Sequence, residues 1–422
     1  GPVAGGTFHG NLLTVASQGT VRMNGGQASG DEAVVSFADA ELSGTIATNI
    51  NTRGLWNPDT QVVDDAVVSI GSGGHLSWNG NITGSGNLTK TGGGTLLLDG
   101  SNGAWMGHLI IDDGTVIVAP GNGLSNQNIV DLRGTNSVIN FVPEAEIFGG
   151  LTGVGRVIVG PGNIQFGHND LDSTFTGTIE TQFGSTGGFA NAGTGTTTFA
   201  GNARVVDVSI VRSRDGGTIV FTDTSLVTTD LIDAIDGSAI RIEGDATVFA
   251  TAGEFANQGQ LDLVGGTLIT TAFTGLLLNQ GGTLSPGTLA DETRVLPIAD
   301  NFNNDANSTL QIDVGGLLPG QHDQLDLPTG IPGIGKFAGL GGTLDVNLVD
   351  GFVPNLGDQF TVIEARSIGG AFHVVDAPIF NGLTFDVAIV DLGANVMQLV
   401  LEVIAAPAIA GDYNGDGTVN AG

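Results

Sequence analysis

The sequence contains no cysteine, and its only lysines are Lys90 and Lys336. The absence of cysteine excludes disulfides, thiol catalysis and zinc sites with cysteine ligands. With 12 Lys and Arg against 43 Asp and Glu, the formal net charge of −31 opposes binding to phosphate backbones and to anionic lipid headgroups. We therefore expect neither nucleic acid nor a membrane among the partners.

Long apolar runs and helical patterns are also missing. No apolar run approaches the roughly 18 residues that span a bilayer, and no signal peptide is present. If the protein is exported, its leader has been removed, and Gly1-Pro2 is either the mature end or the remainder of a cleavage site. The only helix-compatible piece, Leu231–Ile235, is too short to matter.

Glycine is abundant instead, and it recurs in a fixed context. The 71 glycines accompany 40% hydrophobic residues, which is too many for a disordered chain. A glycine pair followed by Thr and an aliphatic residue predicts a turn that feeds a short strand. This unit occurs at Gly93–Leu96, Gly265–Leu268, Gly281–Leu284 and Gly341–Leu344, with near copies at Asp113–Val116 and Gly216–Ile219.

Repetition of this unit predicts an all-β fold, an elongated parallel β-solenoid (β-helix) over residues 1–289, built from coils of roughly 20 to 30 residues. Segment 84–98 aligns with 153–166, which supports such a repeat. Longer strands follow near Pro286, so we interpret residues 290–403 as a C-terminal β module and 404–410 as a linker to 411–422. Core side chains should come from strands that contain Leu96, Leu98, Ile117, Val157, Ile158 and Leu263, although the sequence does not say which of two adjacent residues points inward.

Residues 84–102, GSGNLTKTGGGTLLLDGSN, followed by HLIIDDGTVIVA at 108–119, resemble the autotransporter-associated β-strand repeat. The clear match covers a single coil, with weaker echoes over much of residues 7–289. The resemblance implies an extracellular passenger region built as a parallel β-helix. Residues 280–403 are similar to the C-terminal passenger module that follows such repeats in large secreted proteins.

The final segment, GDYNGDGTVNAG at 411–422, resembles the first calcium loop of a dockerin, as found at the ends of many secreted planctomycete-like proteins. The printed sequence stops at the eleventh of twelve loop positions, before the expected acidic residue. Two interpretations remain, a calcium site if the full loop is present and a solvated tail, which we favour; no other cofactor is expected. The residues that the resemblance places as ligands are Asp412, Asn414, Asp416, Thr418 and Asn420.

Several charged clusters have spacings that catalysis or binding uses. His168, Asp170 and Asp172 would share one face of an extended strand, where paired carboxylates hold a metal or act as acid and base, but Gly167 favours a turn here. We interpret the remaining acidic clusters as solvated loop charge, because consecutive strand residues face opposite sides. These clusters are His322-Asp323 with Asp326, Asp64-Asp65 and Asp112-Asp113.

Arginine and tryptophan offer two further candidates. Arg212 and Arg214 would share one face of a strand end and clamp a carboxylated sugar or an acidic loop, although Asp215 favours an ion pair within the chain. The tryptophans would form a sugar platform if they met on one face, but a lone tryptophan near a turn more often covers a hydrophobic stack. They are Trp56, Trp78 and Trp105.

Two function classes remain. The leading one is a non-enzymatic, secreted or cell-surface protein that is structural or adhesive and assembles with itself head to tail into fibres or a surface layer. In that mechanism, the strand Val396–Val403 of one copy covers the N-terminal coil at residues 6–15 of the next. The alternative is a polysaccharide-binding or carbohydrate-active β-helix protein, such as a lyase or hydrolase. A three-carboxylate patch beside an open groove would favour that alternative.

Overall fold

The computed structural model describes residues 2–4, 7–15, 20–24, 32–48, 53–120, 123–142, 145–182, 184–255, 260–264, 266–270, 273–274, 277–286, 293–298, 300–327, 329 and 336–407. Every regular element within these ranges is a β-strand. No helix among them is long and apolar enough to cross a membrane. The chain divides into two compact units, unit 1 with residues 1–220 and unit 2 with residues 221–422.

The strands that begin in unit 1 are β1 (Pro2–Ala4), β2 (Thr7–Val15), β3 (Thr20–Asn24), β4 (Glu32–Leu42), β5 (Thr45–Thr48), β6 (Arg53–Trp56), β7 (Asp59–Val62), β8 (Ala66–Ile70), β9 (His75–Trp78), β10 (Ile82–Gly84), β11 (Leu88–Thr91), β12 (Thr95–Leu98), β13 (Leu109–Ile111), β14 (Gly114–Val118), β15 (Ile129–Leu132), β16 (Ser137–Phe141), β17 (Glu146–Ile147), β18 (Gly150–Gly153), β19 (Arg156–Val159), β20 (Ile164–Phe166), β21 (Ser173–Phe175), β22 (Thr178–Thr181), β23 (Phe189–Ala192), β24 (Thr196–Phe199), β25 (Arg204–Arg214) and β26 (Thr218–Phe221).

The strands that begin in unit 2 are β27 (Leu226–Ala234), β28 (Ala239–Glu243), β29 (Thr247–Phe255), β30 (Gln260–Val264), β31 (Thr267–Thr270), β32 (Phe273–Thr274), β33 (Leu277–Asn279), β34 (Thr283–Pro286), β35 (Val295–Pro297), β36 (Phe302–Asn304), β37 (Thr309–Val314), β38 (Gln324–Asp326), β39 (Phe337–Leu340), β40 (Thr343–Leu348), β41 (Gln359–Ala365), β42 (Ser367–Gly370), β43 (Val374–Asp376), β44 (Leu383–Gly393) and β45 (Val396–Ala405).

Unit 1 is a parallel β-solenoid, as the repeat predicts, and its strands belong to two sheets that we call walls. In the first wall, β8, β11, β13, β15 and β18 follow one another in parallel register, each one coil after the last. In the second wall, β9, β12, β14, β16, β19 and β22 do the same. Since each coil contributes to both walls, the side chains that point inward from the two walls form one core.

Copies of the glycine-threonine unit lie at equivalent places in neighbouring coils. In unit 1, Thr95 of β12 pairs with Thr115 of β14. In unit 2, Thr267 of β31 pairs with Thr283 of β34. The first position of β14 needs glycine, because Gly114 has a φ of +77° and a Cβ there would clash with the Gly92 carbonyl oxygen. The sequence repeat is therefore a structural repeat.

The alignment of residues 84–98 with 153–166 is wrong as a coil equivalence. It superposes β11 of the first wall on β19 of the second wall, and these strands belong to different sheets. Turns of both walls use the same glycine spacing, so a short sequence match does not distinguish one wall from the other.

Buried and outer side chains alternate along each strand, and this alternation shows which predicted core residues point inward. Leu96, Leu98 and Leu263 are buried, and Val157 is buried whereas its neighbour Ile158 is only partly covered. Ile117 also lies on the outer side, since Val116 and Val118 are the buried members of β14. Phenylalanines stack from coil to coil inside unit 1, with ring centroids 5.4 Å apart for Phe166 and Phe189.

Turns are tied to the next coil by Asp and Asn side chains. The backbone N–H of Asn81 donates to Asp59 Oδ1 at 2.8 Å, and the backbone N–H of Asn87 donates to Asp65 Oδ1 at 3.1 Å. One coil further on, the backbone N–H of His108 donates to Asn87 Oδ1 at 2.8 Å. Part of the acidic composition of the chain thus satisfies backbone donors that lie one coil away.

Unit 2 also contains parallel walls and has a third sheet with the order β35-β38-β41-β45-β44. The parallel walls extend beyond the predicted boundary at residue 289, through pairs such as β37–β40 and β40–β43. In the third sheet, β35, β38 and β41 are parallel, whereas β41, β45 and β44 pair antiparallel. Because β45 is paired on both edges, the predicted use of Val396–Val403 to cover another copy is wrong.

Candidate functional site

The third sheet of unit 2 forms one side of an open cleft of about 450 Å³. Polar side chains from β38, β41 and β45 line the sheet side, and the segment that contains Leu317, Pro319 and His322 covers another side. We call this space the cleft. Its volume falls in the range of about 300–1,000 Å³ that is typical of small-molecule sites.

Two carboxylates lie side by side in the cleft. Asp326 of β38 pairs in register with Glu364 of β41, and Glu364 pairs with Gln398 of β45. Neighbouring strands are about 4.8 Å apart, so side chains that share a register position and a face are close neighbours. Gln398 Nε2 donates to Glu364 Oε2 at 2.8 Å, which holds this carboxylate in place.

The carboxylate pair is electrostatically strained. Burial raises the pKa of the Asp326 carboxyl, and the negative charge of Glu364 raises it further. Neither carboxylate forms an ion pair within the described part of the chain. Asp326 is exposed and Glu364 is partly covered, so the cleft presents two solvent-accessible carboxylates without an ion-pair partner in these ranges.

His322 is 4% exposed and contributes a neutral imidazole to the cleft. Its Nδ1 donates to the Gly316 carbonyl oxygen at 3.3 Å, and its ring meets Phe360 edge to face. Burial lowers the pKa of His322, so the ring carries no proton charge at neutral pH. The neighbouring Asp323 is also buried, but its carboxylate accepts from the Arg294 and Asp313 amides and has a structural role. The prediction of solvated loop charge is wrong for both residues.

The His168 cluster lies in a turn after β20, as Gly167 predicts. Asp170 has a φ of 58°, and its Oδ1 accepts from the Thr194 amide at 2.8 Å. Asp172 Oδ1 accepts from the Thr196 amide at 2.8 Å. Both carboxylates connect adjacent coils, so this cluster does not form a catalytic pair on one strand face.

The remaining charged candidates also have structural contacts. Arg214 Nε lies 3.1 Å from Asp215 Oδ2, which confirms the predicted ion pair within the chain, and Arg212 lies two residues earlier in β25. Asp64 and Asp65 are exposed, with Asp65 occupied by the Asn87 amide. In the pair Asp112-Asp113, the Asp113 carbonyl oxygen accepts from Lys90 Nζ at 2.9 Å.

The tryptophans form no surface platform. All three side chains have 0% exposure, and the rings of Trp56 and Trp78 have centroids 5.6 Å apart inside unit 1. Trp105 Nε1 donates to the Gly86 carbonyl oxygen at 2.8 Å. The hydrophobic-stack interpretation is confirmed, and the sugar-platform alternative is wrong.

The predicted calcium ligands Asp412, Asn414, Asp416, Thr418 and Asn420 lie outside the described residues. Calcium at these residues stays a prediction. Within the described ranges, no group of three or more His, Asp or Glu side chains could hold a metal ion.

Sequence reasoning named His322 and Asp326 but missed Glu364 and the glutamines of the cleft. The reason is a β-bulge in β41 between Thr361 and Ile363. This bulge lets Thr361 and Glu364, three residues apart, line the same cleft, which the two-residue period of a regular strand does not predict.

No protein-family model matches the sequence, and no curated protein matches it. A solved structure, the crystal structure of the Haemophilus influenzae Hap adhesin, aligns with a TM-score of 0.34 and 11% sequence identity. The alignment covers 93% of this chain and 64% of that chain. A likeness at this level carries no argument about function, and the parallel solenoid is established by the strand pairing described above.

Proposed function

We propose that the protein is an extracellular structural or adhesive β-solenoid, secreted or held at a cell surface, that associates with other copies of itself. The observation that carries this proposal is the distribution of exposed apolar side chains. Among the described residues, eleven of the sixteen large hydrophobic side chains that are exposed lie between Leu317 and Leu392 in unit 2. A concentration of exposed apolar side chains in one unit favours an interaction surface there.

The strand β44 contributes three of these side chains. Within the described ranges it pairs with β45 alone, and its other edge has no strand partner. Ile389, Val390 and Leu392 of β44 are 41%, 37% and 58% exposed. An edge strand with apolar side chains and no Lys or Arg is a template for pairing with another chain.

A second copy of β44 fits this edge. In an antiparallel pair centred on Ile389, Asp386 faces Leu392 and Asp391 faces Val387, so no carboxylate faces another. Such an interface is symmetric and closes as a dimer. Head-to-tail growth into fibres or a surface layer would require β44, rather than β45, to meet the coil at residues 6–15 of another copy. That geometry is the alternative to the dimer, because one edge of β44 cannot serve both contacts.

Sedimentation velocity and light scattering test the association. Ile389→Lys places a charge on the proposed edge and should reduce the associated fraction. Leu171→Lys is the matched control, because Leu171 is 59% exposed in unit 1 and its substitution adds the same single positive charge. High salt should promote association, since it screens the repulsion between chains of charge −31. A wild-type protein that stays monomeric at all salt and protein concentrations contradicts the proposal.

Polysaccharide binding is a second candidate function, and the cleft is the observation that favours it. The cleft provides two carboxylates, amides and a hydroxyl next to apolar side chains, which is the mixture that polar ligands require. Its two carboxylates fall short of the three-carboxylate patch that would favour a lyase or hydrolase. Binding, without catalysis, is therefore the activity proposed for the cleft.

A further inference from the structure

We propose that the cleft binds a sugar that carries a primary ammonium group, such as an amino-sugar unit of a polysaccharide. This inference rests on the second candidate function, polysaccharide binding, and names its ligand class. Three properties of the cleft support it: uncompensated negative charge, unused hydrogen-bonding groups and an apolar side.

Charge favours a cationic ligand. Asp326 and Glu364 occupy paired positions on adjacent strands and have no ion-pair partner in the described ranges. The lysine of unit 2, Lys336, is already engaged by Asp300 at 3.0 Å. An ammonium group between the two carboxylates would receive charge-assisted hydrogen bonds and relieve their mutual repulsion.

Hydrogen-bonding capacity favours a sugar over a simple amine. The side-chain amides of Gln324 and Gln359 line the cleft and make no hydrogen bond within the part of the chain that the structure describes. Each amide offers both donors and an acceptor, which suits hydroxyl groups. A lysine side chain or an alkyl diamine has no hydroxyl and would leave these amides unused.

The covering segment supplies an apolar side. Leu317, Pro319 and Val295 line the cleft together with the neutral imidazole of His322. The C–H face of a sugar ring can pack here while its hydroxyls meet the glutamines. A bare metal ion fits less well, because no group of three His, Asp or Glu side chains in the described ranges could hold one.

Titration by calorimetry and NMR tests the inference with three probes: fully deacetylated glucosamine oligomers, N-acetylglucosamine oligomers of the same length, and 1,5-diaminopentane. We expect binding of the deacetylated oligomer, with little binding of the other two. Asp326→Asn and Glu364→Gln should each weaken that binding by about ten- to hundredfold, the usual effect of losing a hydrogen bond to a charged group. Asp64→Asn, at an exposed carboxylate of unit 1 that does not line the cleft, is the matched control and should leave binding unchanged.

Each other outcome contradicts a different statement. Equal binding of acetylated and deacetylated oligomers overturns the ammonium requirement but leaves polysaccharide binding intact. Diaminopentane that binds as tightly as the deacetylated oligomer overturns the choice of a sugar. No binding of either oligomer overturns both the inference and the second candidate function. Thermal unfolding of each variant, together with NMR shifts of the Gln324 and Gln359 side-chain amides, separates lost contacts from lost folding.

Discussion

The walls of unit 1 and the third sheet of unit 2 are built from the same kind of strand but differ in what they leave exposed. In unit 1, β12 buries Leu96 and Leu98, and the next coil covers them along the stack. In the third sheet, β44 is exposed on both faces from Ala388 to Gly393 and pairs with one neighbour among the described strands. Stacked coils thus bury their aliphatic side chains, whereas the last strand of the third sheet leaves such side chains exposed.

The largest expected effect is in the core of unit 1. Trp78→Ala should lower the free energy of unfolding by about 3–5 kcal/mol, because it leaves a cavity beside Trp56. Leu392→Ala in β44 should change it by less than about 0.5 kcal/mol, because Leu392 is 58% exposed. Urea denaturation measures both values. Equal effects would remove the distinction between the stack and the third sheet.

Lys90 gives unit 1 a pH dependence of stability in the alkaline range. Its side chain is fully buried and donates to the carbonyl oxygens of Thr91, Gly92 and Asp113. Burial lowers the pKa of Lys90 from 10.5 to about 8, although Asp113 opposes this shift. Between these two pH values the unfolded chain holds more protons than the folded chain, so stability should rise with pH by up to about 3 kcal/mol.

Urea denaturation between pH 7.5 and 10 measures this rise. Lys90→Met removes the titrating group and should abolish the part of the rise in unfolding free energy with pH that comes from this lysine. A variant with the same pH slope as the wild-type protein would show that the lysine retains its proton throughout.

A smaller effect is expected at the glycine turns. Gly114→Ala should cost about 1–3 kcal/mol, because an alanine is strained at a φ of +77° and its Cβ would meet the Gly92 carbonyl oxygen. Gly103→Ala is the control, since no atom lies within 4 Å of a Cβ there. Thermal unfolding compares the two. Similar melting temperatures would show that the backbone at Gly114 relaxes to accept a Cβ without a loss of stability.

Local sequence predicts the fold well, because every coil repeats the same turn and strand. The glycine-threonine units at Thr95 and Thr115 are in register in the structure, and each precedes three consecutive aliphatic residues. The sequence does not decide whether Val157 or Ile158 points inward, since two adjacent aliphatic residues suit either face. The cleft is harder to predict, because Asp326, Glu364 and Gln398 are far apart in sequence. Strand pairing and the bulge in β41 bring them together.

Successive coils differ in length although their strands stay in register. Val138 and Arg156 are register partners 18 residues apart, whereas Ile164 and Phe189 are partners 25 residues apart. The walls absorb this variation because the additional residues leave the stack at the turns. A turn can therefore gain or lose residues while the strands on either side keep their partners, so new surface features can arise without a change in the core.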